Sequence, residues 1–305
     1  MASQAEPEQD AFGQSRQERT ILEPDKRRET LLSFIRGARH RLLLSVFRCD
    51  DFKVLDALPE ALRRGVRVEV LLTSRAKGGK KRLKELWEYL ESLGAQVHRY
   101  SDPVVKYHAK YVVADDGPAL VASLNFTRKC FERTCDFIHI THDRQVVSGL
   151  KRLFEADCRP SHSSLPEGLS NRLIVGPELA RGQLTALLQQ ARRSIRIIDH
   201  KLTDPTMITL LEARRAEGVA VEILGGRNMG SLLSHGKMIL IDQAAATIGS
   251  ISLSALSLGF RRELALLVQD PVCVSQLNAF FQQLREGEPG SESGQESSED
   301  EDEEE

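Results

Sequence analysis

The sequence predicts an α/β protein built from two similar half-domains related by a pseudo-twofold axis, and three repeats predict it. Ala38-Arg39-His40-Arg41-Leu42-Leu43-Leu44-Ser45 is echoed by Ala191-Arg192-Arg193-Ser194-Ile195-Arg196-Ile197-Ile198. Gly65-Val66-Arg67-Val68-Glu69-Val70-Leu71 is echoed by Gly218-Val219-Ala220-Val221-Glu222-Ile223-Leu224, at the same offset of 153 residues. His108-Ala109-Lys110, Asp115, Ser123 and Asn125 are matched by His235-Gly236-Lys237, Asp242, Ser250 and Ser252, 127 residues on. In both copies Lys stands two, Asp seven and the first Ser fifteen residues beyond the His.

The elements follow in order. Residues 1–20 are rich in Gln, Glu, Ser and Ala, a composition that predicts disorder. An amphipathic helix is expected from Asp25 to about Gly37, with Leu31, Leu32 and Ile35 on one side. Residues 41–47 are apolar enough for a strand buried on both faces. A helix over about 52–64 and a strand over 65–72 complete a strand–helix–strand unit, which implies parallel strands and a right-handed crossover. The difference between the two offsets places 26 extra residues in the first half, within 74–100. They contain Arg75, Lys77, Lys80, Lys81, Arg82 and Lys84, then a helix with Leu83, Leu86, Trp87, Leu90 and Leu93 on one face. That spacing reads as core contact, and the basic stretch as a polyanion-binding segment or a solvated loop. Helices at about 144–157 and 271–285 close the halves. The organisation expected is a first half over 21–158, a Pro- and Ser-containing linker over 159–168, a second half over 169–285 and a disordered acidic tail over 286–305.

The formal charge of −2 hides an asymmetry. The tail carries eleven acids and no base, which leaves 42 basic and 33 acidic residues elsewhere, a net +9. Such a body suits an anionic partner: nucleic acid, an anionic membrane surface or a phosphorylated small molecule. The tail reads as solubilising or self-masking. Five cysteines, an odd number, four of them in ordinary helix or strand patterns, read as reduced thiols of a cytoplasmic protein. The polar, acidic N-terminus is unlike a signal peptide, and no apolar run approaches a membrane span. Cys130, Cys135, His139 and His142 lack zinc-site spacing, so no metal or cofactor is expected.

Side chains two apart on a strand share a face. His108 therefore projects with Lys110, His235 with Lys237, Ser123 with Asn125 and Ser250 with Ser252. The apolar run after each His-x-Lys reads as a buried strand that turns and comes back alongside, from 119 to 123 or from 246 to 250. Each copy presents an imidazole, an ammonium and two small hydrogen-bonding groups on one side of a hairpin.

His-x-Lys-x4-Asp followed by Gly-Ser-x-Asn, present twice in register, resembles the phospholipase D superfamily over most of residues 25–285. Two positions depart from the pattern: Ala122 stands where the family usually has Gly, and Ser252 where it usually has Asn. The resemblance implies a phospholipase D-like sandwich whose axis brings the two His motifs face to face, with the active site at the interface. It implies His108 as nucleophile, His235 as general acid, and a metal-independent phosphodiesterase acting through a covalent phosphohistidine. Lys110, Lys237, Ser123, Asn125, Ser250 and Ser252 would hold the phosphate oxygens. It also implies a carboxylate behind each His, for which Glu263 and Asp136 are the candidates. Asp115 and Asp242 fit either a catalytic role or a turn and buried-support role. Phospholipid is the leading substrate, with a nuclease of the same superfamily and a non-catalytic phosphate-binding protein as alternatives.

Overall fold

The computed structural model describes residues 17–75, 79–159 and 165–287. Each half is built on one mixed sheet. In the first, Arg41–Val46 crosses through the helix Phe52–Arg63 to its parallel partner Arg67–Thr73, with Leu42 opposite Val68 and Leu44 opposite Val70. The helix starts because the Asp51 carboxylate accepts the Val54 N–H. Its buried residues, Val54, Ala57, Leu58 and Ala61, recur at spacings of three and four. Gly65, at φ 84°, reverses the chain into the next strand.

The full first sheet runs Arg19–Ile21, Ile138–Thr141, Ala119–Ala122, Tyr111–Ala114, Arg41–Val46, Arg67–Thr73, Gln96–Tyr100. The second runs Leu173–Val175, Leu264–Val268, Ala245–Gly249, Lys237–Ile241, Ser194–Ile198, Ala220–Leu224, in the same order of equivalents. The 26 extra residues account for the difference in size: they supply the helix Lys80–Ser92 and the edge strand Gln96–Tyr100. Leu83 and Leu90 of that helix are buried, and Leu86, Trp87 and Leu93 pack against the same core.

Helices Pro24–Gly37 and Phe52–Arg63 cover the outer face of the first sheet, and Ala180–Gln190 and Pro205–Ala216 that of the second. The inner faces meet through a shared middle layer. Helix Arg144–Asp157 packs Val146, Leu150 and Phe154 against Tyr111 and Val121 of its own half and Leu173, Val175 and Leu266 of the other. Helix Pro271–Gly287 packs Leu277 and Phe281 among Met238 and Ile248, with Cys135 and Phe137 of the first half. The halves therefore share core and form one body. Among the described residues no helix is long and apolar enough to cross a membrane.

The N-terminal expectation needs correcting. Ordered chain begins before residue 21, because Arg19–Ile21 adds an edge strand to Ile138–Thr141. Glu18 anchors it: its carboxylate accepts from both Arg172 guanidinium nitrogens, at 2.7 and 2.8 Å, and from Thr141 Oγ1 at 2.7 Å. Polar composition concealed a segment held by a half-buried ion pair to the other half. The linker residues 160–164, Lys77 of the basic stretch and the tail beyond 287 lie outside the described residues.

Candidate active site

The strands that follow the two histidines, Tyr111–Ala114 and Lys237–Ile241, run antiparallel to Arg41–Val46 and Ser194–Ile198. Both histidines therefore stand beyond the C-terminal ends of the latter strands, where open α/β sheets usually bind ligands. They line one cleft with Asn125, Lys237, Ser250 and Ser252.

Two short parallel ladders bridge the halves there. Lys106–Tyr107 pairs with Arg261–Arg262, and Leu232–Ser234 runs beside Thr134–Cys135. Each ladder ends on a histidine from one half and a carboxylate from the other. Glu263 Oε1 lies 2.7 Å from His108 Nδ1, and Asp136 meets His235 Nδ1 with both oxygens, at 2.9 and 2.8 Å. The carboxylates are thus exchanged between halves, so each orients the histidine of the other copy.

The two pairs differ electrically. Burial, then the cations Lys110, Arg261 and Lys237, push His108 well below the usual histidine value. Burial also lifts Glu263, against the pull of Lys110 and a hydrogen bond from Ser257. The close contact is therefore best described as a neutral imidazole donating Nδ1–H to Glu263, rather than as an ion pair, which leaves Nε2 with its lone pair. Asp136 behaves oppositely: although burial raises it, His235, Arg27 and Ser123 hold its carboxyl below the usual range. An ionised Asp136 favours a charged His235.

Lys110 Nζ sits 3.0 Å from His108 Nδ1 and 3.1 Å from Nε2, and donates to the His108 carbonyl at 2.9 Å. Burial pushes its ammonium well below the usual lysine range, with Glu263 opposing. Lys237 Nζ donates to the His235 carbonyl. Asn125 Oδ1 is buried and makes no hydrogen bond among the described residues. Ser252 Oγ pairs with Ser254 Oγ at 2.8 Å, and Ser250 Oγ accepts from the Leu264 N–H at 3.2 Å.

Ser123 is placed differently from the phosphate-binding role expected of it. Its hydroxyl donates to Asp136 Oδ1 at 2.5 Å and accepts from the Phe137 N–H at 2.9 Å, so it supports the carboxylate behind His235. The structure also sets Asp115 and Asp242 at the turns, at the far ends of their strands from the histidines. Both adopt positive φ, 53° and 52°. Asp115 accepts the N–H groups of Arg39, His40 and Arg41, and Asp242 those of Arg192, Arg193 and Ser194. This pins the entry of each central strand to the hairpin turn.

The family described as cardiolipin synthase, PLD-like domain, matches residues 31–158. Residues 31–158 are thus similar to that PLD-like domain. Cardiolipin synthase 1 of Bacillus cereus is 25% identical over 137 residues, which are 44% of this chain and 26% of that protein. The match thus spans about a quarter of the curated relative's length. The crystal structure of phosphatidylserine synthase from Haemophilus influenzae Rd KW20 superposes with a TM-score of 0.68 at 13% identity, covering 90% of this chain and 86% of that one. Polyphosphate kinase from Porphyromonas gingivalis superposes with a TM-score of 0.70 at 20% identity, covering 88% and 47%. At these identities the two structures share the fold.

On this phospholipase D-like frame, three further residues reach the cleft that motif reading missed: Phe47, Lys201 and Arg261. Phe47 packs on His108 with ring centroids 4.6 Å apart. Lys201 was findable, since it lies 153 residues beyond Arg48, the offset of the strand repeat. Cys130, Asp136 and His235 offer possible metal-ligand atoms within 4.8 Å of one another. Two of these already bond each other, and burial pushes the Cys130 thiol up to about 11, so the trio is a hydrogen-bonded His–Asp pair beside a neutral thiol. Cys130, Cys135, His139 and His142 do not converge as a set. His139 instead bonds Thr20 Oγ1 at 3.0 Å and meets Glu18 at 3.3 Å.

Proposed function

We propose that the protein is a metal-independent phosphodiesterase or phosphatidyl transferase of phospholipase D type, with phospholipid as its substrate. The carrying observation is the exchanged pair of carboxylates, Glu263 at 2.7 Å from His108 Nδ1 and Asp136 at 2.8 Å from His235 Nδ1. His108 Nε2 attacks phosphorus in line. The bond to the leaving oxygen breaks as His235, in its protonated form, gives that oxygen a proton. The product alcohol departs and a phosphohistidine remains. His235, now neutral, takes a proton from water or a second alcohol as its oxygen attacks phosphorus, and His108 leaves with its lone pair restored. Lys110, Lys237, Asn125 and Ser252 surround the charge that develops on the non-bridging oxygens.

The reading is tested by acid trapping during turnover of a p-nitrophenyl phosphodiester in the presence of chelator, followed by mass spectrometry of the modified peptide. An adduct on His108 is expected, absent from His108→Ala. His235→Ala should still form it, since p-nitrophenolate leaves without a proton, and should then stall. Phosphatidylglycerol should be turned over and single-stranded DNA should not. An adduct on His235 reverses the assignment of roles. Cleavage of DNA alone makes the protein a nuclease, and absence of both adduct and turnover leaves a phosphate-binding protein.

A further inference from the structure

Four of the five most exposed large apolar side chains among the described residues lie at the end of the molecule that carries the cleft. They are Phe52, Val104, Leu256 and Phe260, exposed by 79, 64, 58 and 52%. The fifth, Val272, heads the helix that follows Leu264–Val268, a strand that leads away from the site.

Chain connectivity ties each of the four to the cleft wall. Phe52 begins the helix after Arg41–Val46, and the Asp50 and Asp51 N–H groups donate to the Phe126 carbonyl, next to Asn125. Val104 lies on the loop after Gln96–Tyr100 that leads into Lys106, Tyr107 and His108, a loop braced by Arg75 on the Pro103 carbonyl at 2.9 Å. Leu256 and Phe260 belong to the short helix Ala255–Phe260 that arches from Ser252 to Arg261, both in the cleft. The inward residues of that helix, Ser257 and Leu258, are buried, so its apolar outer residues have no core to join.

Cations share this end: Arg48 and Lys106 lie over the Phe47 ring, Lys201 lines the cleft and Lys53 follows Phe52. Its acids are largely engaged, Glu132 by Arg28 and Arg128 and Asp102 by the Val104 and Val105 N–H groups. Isolated apolar knobs set among cations, around a cleft holding two histidines, match the layered chemistry of an anionic bilayer: phosphate at the surface, hydrocarbon beneath. A nucleic acid would use the cations and leave the aliphatic knobs in water.

We propose that this rim is a membrane-docking surface, with Phe52, Val104, Leu256 and Phe260 entering the headgroup layer of an anionic phospholipid bilayer. The inference deepens the phospholipid reading above and rests on it for its substrate. Docked in this way, the cleft opens onto the plane in which lipid phosphodiesters lie.

The test is co-sedimentation of the full chain with phosphatidylglycerol–phosphatidylcholine vesicles and with pure phosphatidylcholine vesicles. Partition should favour the anionic vesicles and weaken as salt rises. The double substitution Phe52→Ser and Phe260→Ser should lower it by about tenfold or more. Phe260→Trp supplies a second readout in a conservatively changed protein, and its added emission should shift to the blue on anionic vesicles. Equal partition of the double variant, or no blue shift, overturns the proposal. So does tighter binding to a single-stranded oligonucleotide that the same substitutions weaken. Partition is read without turnover, so the two proposals fail separately. Docking without phosphohistidine removes the catalytic reading, and turnover of a soluble diester without docking removes this one.

Discussion

His108 is buried under the Phe47 ring and beside Lys110, and its proton affinity is low because a second positive charge there would have no water around it. The sign of the pH dependence follows. With His108 as the proposed nucleophile, its neutral form is lost as pH falls through its own value, so the acid limb of the rate profile on a soluble diester should lie well below 6.5. Lys110→Met removes the nearest cation and should move that limb toward the ordinary histidine value, with a rate loss of roughly 10²–10³-fold. A pH–rate profile measures both, and an unmoved limb would show that burial alone sets the value. The same group makes the fold weaker in acid, because the unfolded histidine takes up a proton below pH ~6.5 that the folded one resists. At this scale the duplicated spacing made His108, Lys110, His235 and Lys237 legible from the sequence. The use of Ser123 was not legible. Its hydroxyl faces a carboxylate thirteen residues away, and spacing alone does not say which of two acceptors, phosphate or Asp136, is nearer.

Among the elements, the two cross-half ladders depend on close backbone approach. Gly236 N–H donates to the Cys135 carbonyl at 2.7 Å, and a Cβ at Gly236 would lie 2.5 Å from that same oxygen and 2.7 Å from the Phe137 ring. Gly236→Ala should therefore force Leu232–Ser234 away from Thr134–Cys135, carrying His235 off Asp136. The expected cost is about 1–3 kcal/mol of stability together with a fall of at least about tenfold in kcat. Urea unfolding and steady-state kinetics read the two, and wild-type values for both would mean that the ladder yields without cost. Strands and helices were largely legible: residues 52–64 were expected as a helix and Phe52–Arg63 is one, and the leucines of Lys80–Ser92 pack as their spacing predicted. The two-residue ladders were not. They are too short for any periodicity, and their partners lie about a hundred or more residues apart in sequence.

For the whole molecule, charge is the legible property. The body is basic and the last twenty residues carry eleven acids. Removal of residues 288–305 should leave thermal stability unchanged within about 0.5 kcal/mol, since that stretch brings no apolar side chain to a core. If the tail masks the body, truncation should tighten binding to anionic vesicles several-fold at low salt and leave it unchanged at high salt. Co-sedimentation at two ionic strengths distinguishes this from a tail with no electrostatic role, which would give identical binding at both. The pseudo-twofold arrangement was legible from the offsets of 153 and 127 residues, whereas the handing of each carboxylate to the opposite half was not, because a repeat does not say which copy serves which.

That exchange has a genetic consequence. Asp136 lies in the first half and serves the second, and Glu263 lies in the second and serves the first. A lesion at Asp136 should therefore resemble one at His235, across the linker, more than one at its neighbour His108. Under the proposed mechanism neither half carries a finished catalytic unit of its own, so the copies are bound to change together. A single-copy forerunner with this geometry would have had one histidine and one carboxylate per chain, and would have been complete only as a symmetric pair.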